Sequence, residues 1–152
     1  MLDYVNMPDI SNELFIKDFD AFKGMENIKI PPNCTLEFQG KTVEYVPRKK
    51  IVRVFGVPEK FTNPIGVLQG GVLTAFFDDT IGPLSFAVAK APIVTTSLTI
   101  NFVRSVAPGD SLIIIAEVVT RSPLTIFFEA KAYDQKHKLV ASLSSQNLIL
   151  KK

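Results

Sequence analysis

The chain has 152 residues, 47% of them apolar, enough to bury one good core and with no reason in its length for a second domain. Seventeen basic and fifteen acidic residues leave a formal charge of +2, which excludes the dense positive field of a non-specific nucleic-acid binder. A lone cysteine, Cys34, excludes an intrachain disulfide framework, and one histidine with one cysteine cannot assemble a zinc site of the usual His/Cys type.

The first residues carry acids and lack a basic segment followed by an apolar core, so no signal peptide is expected. The longest apolar stretches, such as 71–77 and 112–116, fall well short of the roughly 20 residues of a membrane span. The expectation is a soluble cytoplasmic protein with neither a membrane nor a nucleic-acid partner.

In chain order, residues 11–25 place Leu14, Phe15, Phe19 and Phe22 at amphipathic helical spacing, with Ser11 as N-cap and Gly24 as stop. After Pro31-Pro32, residues 35–46 and 50–57 read as an antiparallel strand pair separated by Pro47-Arg48-Lys49. An irregular loop follows over 58–69, marked by Asn63-Pro64 and Gly66. The stretch 70–89 is apolar on nearly every face and predicts a buried helix, with a break or kink at Gly82-Pro83. Strands are expected at 93–103, 111–121, 125–134 and 139–150, as a meander after the helix. This order is α+β and predicts a curved antiparallel sheet wrapped around one central helix; the lack of alternating helices excludes a doubly wound nucleotide-binding fold.

The chemistry concentrates between Asn63 and Asp79. Gly70 and Gly71 open the buried helix, where unpaired N–H groups and the positive end of the helix dipole can polarise a carbonyl oxygen. Asp78 and Asp79 are adjacent carboxylates inside the same apolar helix, where burial requires partners or a cleft.

Asn63, then Gln69-Gly70-Gly71 six residues later, then Asp78, together with the strand TTSLTINFVRSVA over 95–107, resemble the phenylacetate-pathway-like branch of the hotdog acyl-CoA thioesterases. The likeness runs over roughly residues 50–150, about the size of one small domain. It implies one hotdog domain over 1–152, with a helical extension at 1–32 and the core at 33–152. It also implies a homodimer or dimer of dimers with sites between subunits, and an acyl-CoA substrate whose coenzyme A is the only cofactor-like group. Asp78 would be general base or nucleophile, reaching the site across a subunit interface. The N–H groups of Gly70 and Gly71 would form the oxyanion hole. Asn63 and Thr95 would assist, and Arg104, Arg121 and Ser122 would contact coenzyme A phosphates.

Gln69 departs from the family pattern, which commonly has histidine there. Its amide can donate a hydrogen bond but cannot change protonation near neutral pH. A non-catalytic acyl-CoA-binding protein is therefore the alternative reading. A hydratase is disfavoured because His137, the sole histidine, lies in the turn 135–138. Each site residue also has a plain structural role open to it: Asn63 as a turn residue, Gln69 as a helix cap, Thr95 as a strand former, and Asp79 as a buried structural acid.

Overall fold

A computed structural model describes residues 2–19, 22 and 24–150. Its elements are α1 (Ser11–Asp18), α2 (Asn33–Phe38), β1 (Lys41–Val46), β2 (Lys50–Gly56), α3 (Gly70–Ala89), β3 (Ile93–Phe102), β4 (Ser111–Arg121), β5 (Thr125–Asp134) and β6 (Leu139–Ile149). All strands pair antiparallel in one six-stranded sheet of order β1-β2-β4-β5-β6-β3. The sheet curves around α3, as the sequence predicts.

The expected meander after the helix holds only for β4, β5 and β6. β3 crosses to the far edge and pairs with β6, in register from Ile93↔Ile149 to Phe102↔Ala141. Its other edge has no strand partner among the described residues, and side chains along it, including Val94 and Phe102, are exposed.

The core lies between α3 and the concave face of the sheet. Leu73, Phe76, Phe77, Ile81 and Leu84 of α3 pack against Ile51, Phe55, Leu112, Ile114 and Phe128. The Phe55 and Phe76 rings stack with centroids 4.5 Å apart. Taken whole, α3 is long and apolar enough to cross a membrane, more so than the short apolar stretches suggest. Here most of that surface is buried, its core face against the sheet.

β2 is buried at five consecutive positions because both of its faces are covered. Ile51 and Phe55 join the α3 core, while Val52 and Val54 meet Tyr4 on the convex face. The N-terminal segment is docked there by Ile10 N–H donating to the Thr42 carbonyl at 2.8 Å and Thr42 N–H donating to Asp9 Oδ1 at 3.1 Å.

Three local expectations are corrected. Ser11 is the first helical residue rather than the N-cap, and its N–H and hydroxyl both donate to the Asp9 carboxylate. α1 ends at Asp18; of the remaining predicted helix 11–25, residues 20, 21 and 23 lie outside the described residues, as do the side chains of Leu14 and Phe15. The predicted strand 35–46 begins only at Lys41. Before it, α2 forms after Pro32 and stops at Gln39, which adopts φ 53° as a left-handed cap. Phe38 holds this turn in place, edge-on to Phe76 with centroids 5.2 Å apart. Gly40 then passes so close to the Phe55 ring that a Cβ would overlap it.

No break occurs at Gly82-Pro83: α3 runs unbroken for 20 residues with Pro83 inside. Proline at position 83 removes the N–H that would bond to the carbonyl of residue 79. Arg53 supplies the missing donor, its Nη1 lying 2.8 Å from the Asp79 carbonyl oxygen. A side chain from β2 thus replaces a helical hydrogen bond and lets the helix continue.

Candidate active site

A cavity of about 550 Å³ opens on the side of α3 away from the core, between this helix, the start of β3 and the segment that precedes β1. Its lining is mainly apolar, and Asp78, Asp79, Thr35 and Thr95 are among its few polar side chains. Small-molecule sites have this size and character.

Asp78 is half-buried at the wall of this cavity. Thr95 Oγ1 donates to Asp78 Oδ1 at 2.9 Å, and Asn147 Nδ2 reaches Thr95 Oγ1 at 3.3 Å. Buried Ser145 donates to Asn147 Oδ1 at 2.7 Å. This relay fixes the Thr95 hydroxyl so that its proton points at the carboxylate. The β-bulge between Thr95 and Ser97 on β3 sits at the same place. Asn147 and Ser145 have no signal in the sequence; they become visible only because β6 pairs with β3.

Asp79 also borders the cavity, but its carboxylate is taken up by a buried network and has a structural role. Arg53 Nη1 lies 2.5 Å from Asp79 Oδ2, and the two side chains are 2% and 4% exposed. Burial of both charges is tolerable only with well-formed partners. Thr35 Oγ1 donates to Asp79 Oδ1, Arg53 Nη2 donates to the Gly40 carbonyl at 2.6 Å, and the guanidinium lies over the Phe55 ring at 5.1 Å. Arg53 Nε has no partner among the described residues. The network ties β2, α2 and α3 together directly behind Asp78. Arg53 is the residue that sequence reasoning missed, although an arginine at an inward position of a buried strand was a visible signal.

At the start of α3, Gln69 has extended backbone geometry and caps with its main chain only. Its carbonyl accepts from Val72 N–H at 2.9 Å and from Leu73 N–H at 3.0 Å, while the exposed side chain makes no capping bond. The N–H groups of Gly70 and Gly71 donate to no described residue. A Cβ on Gly71 would meet nothing within 4 Å, whereas one on Gly70 would sit 3.2 Å from the Phe102 ring. Gly70, Phe102 and Arg104 share a second, smaller cavity of about 350 Å³.

Asn63 spends its side chain on its own loop, Oδ1 accepting from Ile65 N–H at 3.1 Å and Val67 N–H at 3.3 Å. It shapes the approach to Gly70 and does not border the Asp78 cavity. Arg121 Nη1 donates to the Val88 carbonyl at 2.9 Å, near the C-terminal end of α3. Ser122 is engaged in its own turn, bonding Thr125 Oγ1 at 2.8 Å and accepting Thr125 N–H at 3.0 Å. Arg104 therefore lies near the helix start, but Arg121 and Ser122 are not brought there by this chain. His137 adopts φ 59° in the β5–β6 turn.

Within one chain the two groups that the sequence resemblance assigns to the reacting carbonyl are separated. Gly70 and Asp78 are eight residues apart on one continuous helix, roughly 12 Å along its axis. One carbonyl cannot touch both. Among the described residues no group of three or more His, Cys, Asp or Glu side chains could hold a metal ion.

A sequence profile described as thioesterase superfamily matches residues 65–141. Among solved structures, the E. coli PaaI protein from the phenylacetic acid degradation operon superposes with TM-score 0.76 at 18% identity, over 88% of this chain and 96% of that one. The N33D mutant of the phenylacetic acid degradation protein PaaI from Thermus thermophilus gives 0.72 at 21% identity, over 78% and 100%. The smu.793 protein of Streptococcus mutans UA159, solved bound to acetyl CoA, gives 0.71 at 21% identity, over 84% and 96%. No curated protein matches the sequence significantly. These likenesses establish the hotdog fold.

Proposed function

The chain belongs to the thioesterase superfamily, and we propose that it hydrolyses an acyl-CoA thioester to the free acid and coenzyme A. The observation that carries this reading is Asp78: a carboxylate at the wall of an apolar cavity, oriented by Thr95 at 2.9 Å. Acetyl CoA in the Streptococcus mutans structure supports coenzyme A as the carrier.

In the proposed reaction Asp78 takes a proton from water as its oxygen adds to the thioester carbonyl carbon. The negative charge that develops on the carbonyl oxygen is met by the free N–H groups of Gly70 and Gly71. Collapse breaks the C–S bond, and the proton held by Asp78 passes to the departing thiolate. Gln69 adds an uncharged amide donor at the same helix end, and Asn63 holds the loop that presents it. Arg104, close to that end, is the side chain placed to meet coenzyme A phosphates.

Because Asp78 and Gly70 lie too far apart on one helix, each site takes Asp78 from one subunit and the glycines from another. The free edge of β3, the exposed Phe102 and the empty space over Gly71 support such a dimer. Thiol release from acyl-CoA substrates tests the reading. Asp78→Asn should lower the rate by about 10²-fold or more while leaving the fold intact. Acyl-CoA binding without release, insensitive to Asp78→Asn, would identify a binding protein instead.

A further inference from the structure

The cavity wall contributed by α3 consists of Ala75, Asp78, Asp79, Gly82, Pro83 and Phe86, spaced as a single helix face. Along that face the side chains change in character. Carboxylates stand near one end, small residues occupy the middle, and an aromatic ring stands at the other end. A Cβ at Gly82 would meet nothing within 4 Å, so the open space runs directly over this residue. Phe86 stands at the far end against two rings from the N-terminal segment. Its centroid lies 5.2 Å from Phe22, edge-on, and 6.3 Å from Phe19, stacked. The opposite wall includes Ile28, Ile30 and Phe38, and Lys29, also in the lining, bonds Asn33 Oδ1.

From Asp78 to Phe86 is eight residues, or roughly 12 Å of helix. An extended alkyl chain with bonds of ~1.52 Å and angles near ~111° advances about 1.25 Å per bond. The distance from carboxylate to closing ring therefore accommodates roughly eight to ten carbons.

We propose that this face of α3 measures the acyl chain: Gly82 is the passage, Phe86 the stop, and the substrate class is a linear medium-chain acyl thioester. The proposal rests on the reading of Asp78 as the residue at the reacting carbonyl. It gives the N-terminal segment a specificity role, since that segment supplies the rings against which Phe86 closes the channel.

The test is kcat/KM for acetyl-, octanoyl-, hexadecanoyl- and phenylacetyl-CoA in the full-length protein and in Gly82→Leu and Phe86→Ala. Leucine at 82 has room at Cβ and is the better helix former, so this variant should fold, which circular dichroism checks. The unaltered protein should prefer octanoyl over the other three. Gly82→Leu should lower the octanoyl-to-acetyl ratio at least about tenfold, and Phe86→Ala should move the preference toward hexadecanoyl. An unchanged ratio in Gly82→Leu, or a preference for phenylacetyl, overturns the chain-length reading while coenzyme A release leaves the thioesterase reading standing. If no thioester is cleaved, that reading fails, and binding of the ethyl, octyl and hexadecyl thioethers of coenzyme A decides the channel. Tightest binding of the octyl compound, weakened by Gly82→Leu, supports it; equal binding of all three overturns it.

Discussion

Arg53 and Pro83 do not resemble interacting residues in the sequence, yet the fold couples them through one carbonyl oxygen. Replacing Arg53 with methionine keeps most of the side-chain volume and removes three hydrogen bonds: to Asp79 Oδ2 at 2.5 Å, to the Asp79 carbonyl at 2.8 Å and to the Gly40 carbonyl at 2.6 Å. Breaking a buried ion pair from one side costs about 3–5 kcal/mol. For a chain of this length that is a fall in Tm of roughly 6–20 °C. Part of the cost is the Asp79 carbonyl, which is left without a donor because residue 83 has no N–H. Pro83→Ala restores that N–H. In a double-mutant cycle measured by urea unfolding, Arg53→Met should therefore be less damaging in the Pro83→Ala background, by about 1 kcal/mol. Additive effects within experimental error would refute the idea that the guanidinium substitutes for the helical bond.

Two further predictions concern the relay and the surface. Asn147→Leu leaves the buried Ser145 hydroxyl without its acceptor and Thr95 without its second partner, so stability should drop by about 1–3 kcal/mol. In the same variant kcat should fall with KM unchanged, because Thr95 no longer orients Asp78; a purely structural residue would leave the ratio of the two constants alone. The hydrogen bond from Lys50, at 2.7 Å, holds the Glu44 carboxyl below its ordinary value, outweighing its partial burial, and Tyr4 adds a bond at 3.0 Å. A lowered folded-state pKa stabilises above the unfolded value of 4.5 and loses that contribution as pH falls through the folded value. The stability difference between the unaltered protein and Glu44→Gln should thus be small at neutral pH, under about 1 kcal/mol, and should shrink on acidification below 4.5. Thermal unfolding across that range checks it, and a difference that grows with acid contradicts the sign.

What could be read from the sequence was whatever depends on neighbours along the chain. Strands β4 and β5 lie where the turn residues between them place them, and the apolarity of 70–89 on nearly every face is the mark of a helix packed into a sheet. The motif from Asn63 to Asp78 led to the right superfamily. Sequence reasoning failed where a distant partner decides the outcome. The helix does not break at Gly82-Pro83 because Arg53, 30 residues earlier, supplies the donor that proline removes. A β-rich reading of 35–46 missed α2 because the contact that holds it, Phe38 on Phe76, spans 38 residues. β3 was placed beside β4 by chain order, whereas its pairing with β6 is what brings Asn147 to Thr95. Sequence reasoning gave the structural part to Asp79, and its buried ion pair with Arg53 agrees.

The separation of Asp78 from the glycines allows the most direct test of the proposed site, by complementation. Asp78→Asn and Gly71→Val, each inactive in thiol release, are co-expressed in equal amounts. A dimer that carries one of each variant retains one intact site, with Asp78 and Gly70-Gly71 supplied by different subunits. Random pairing should then recover about a quarter of the unaltered activity. No recovery in a demonstrated hybrid dimer would contradict a site divided between two chains.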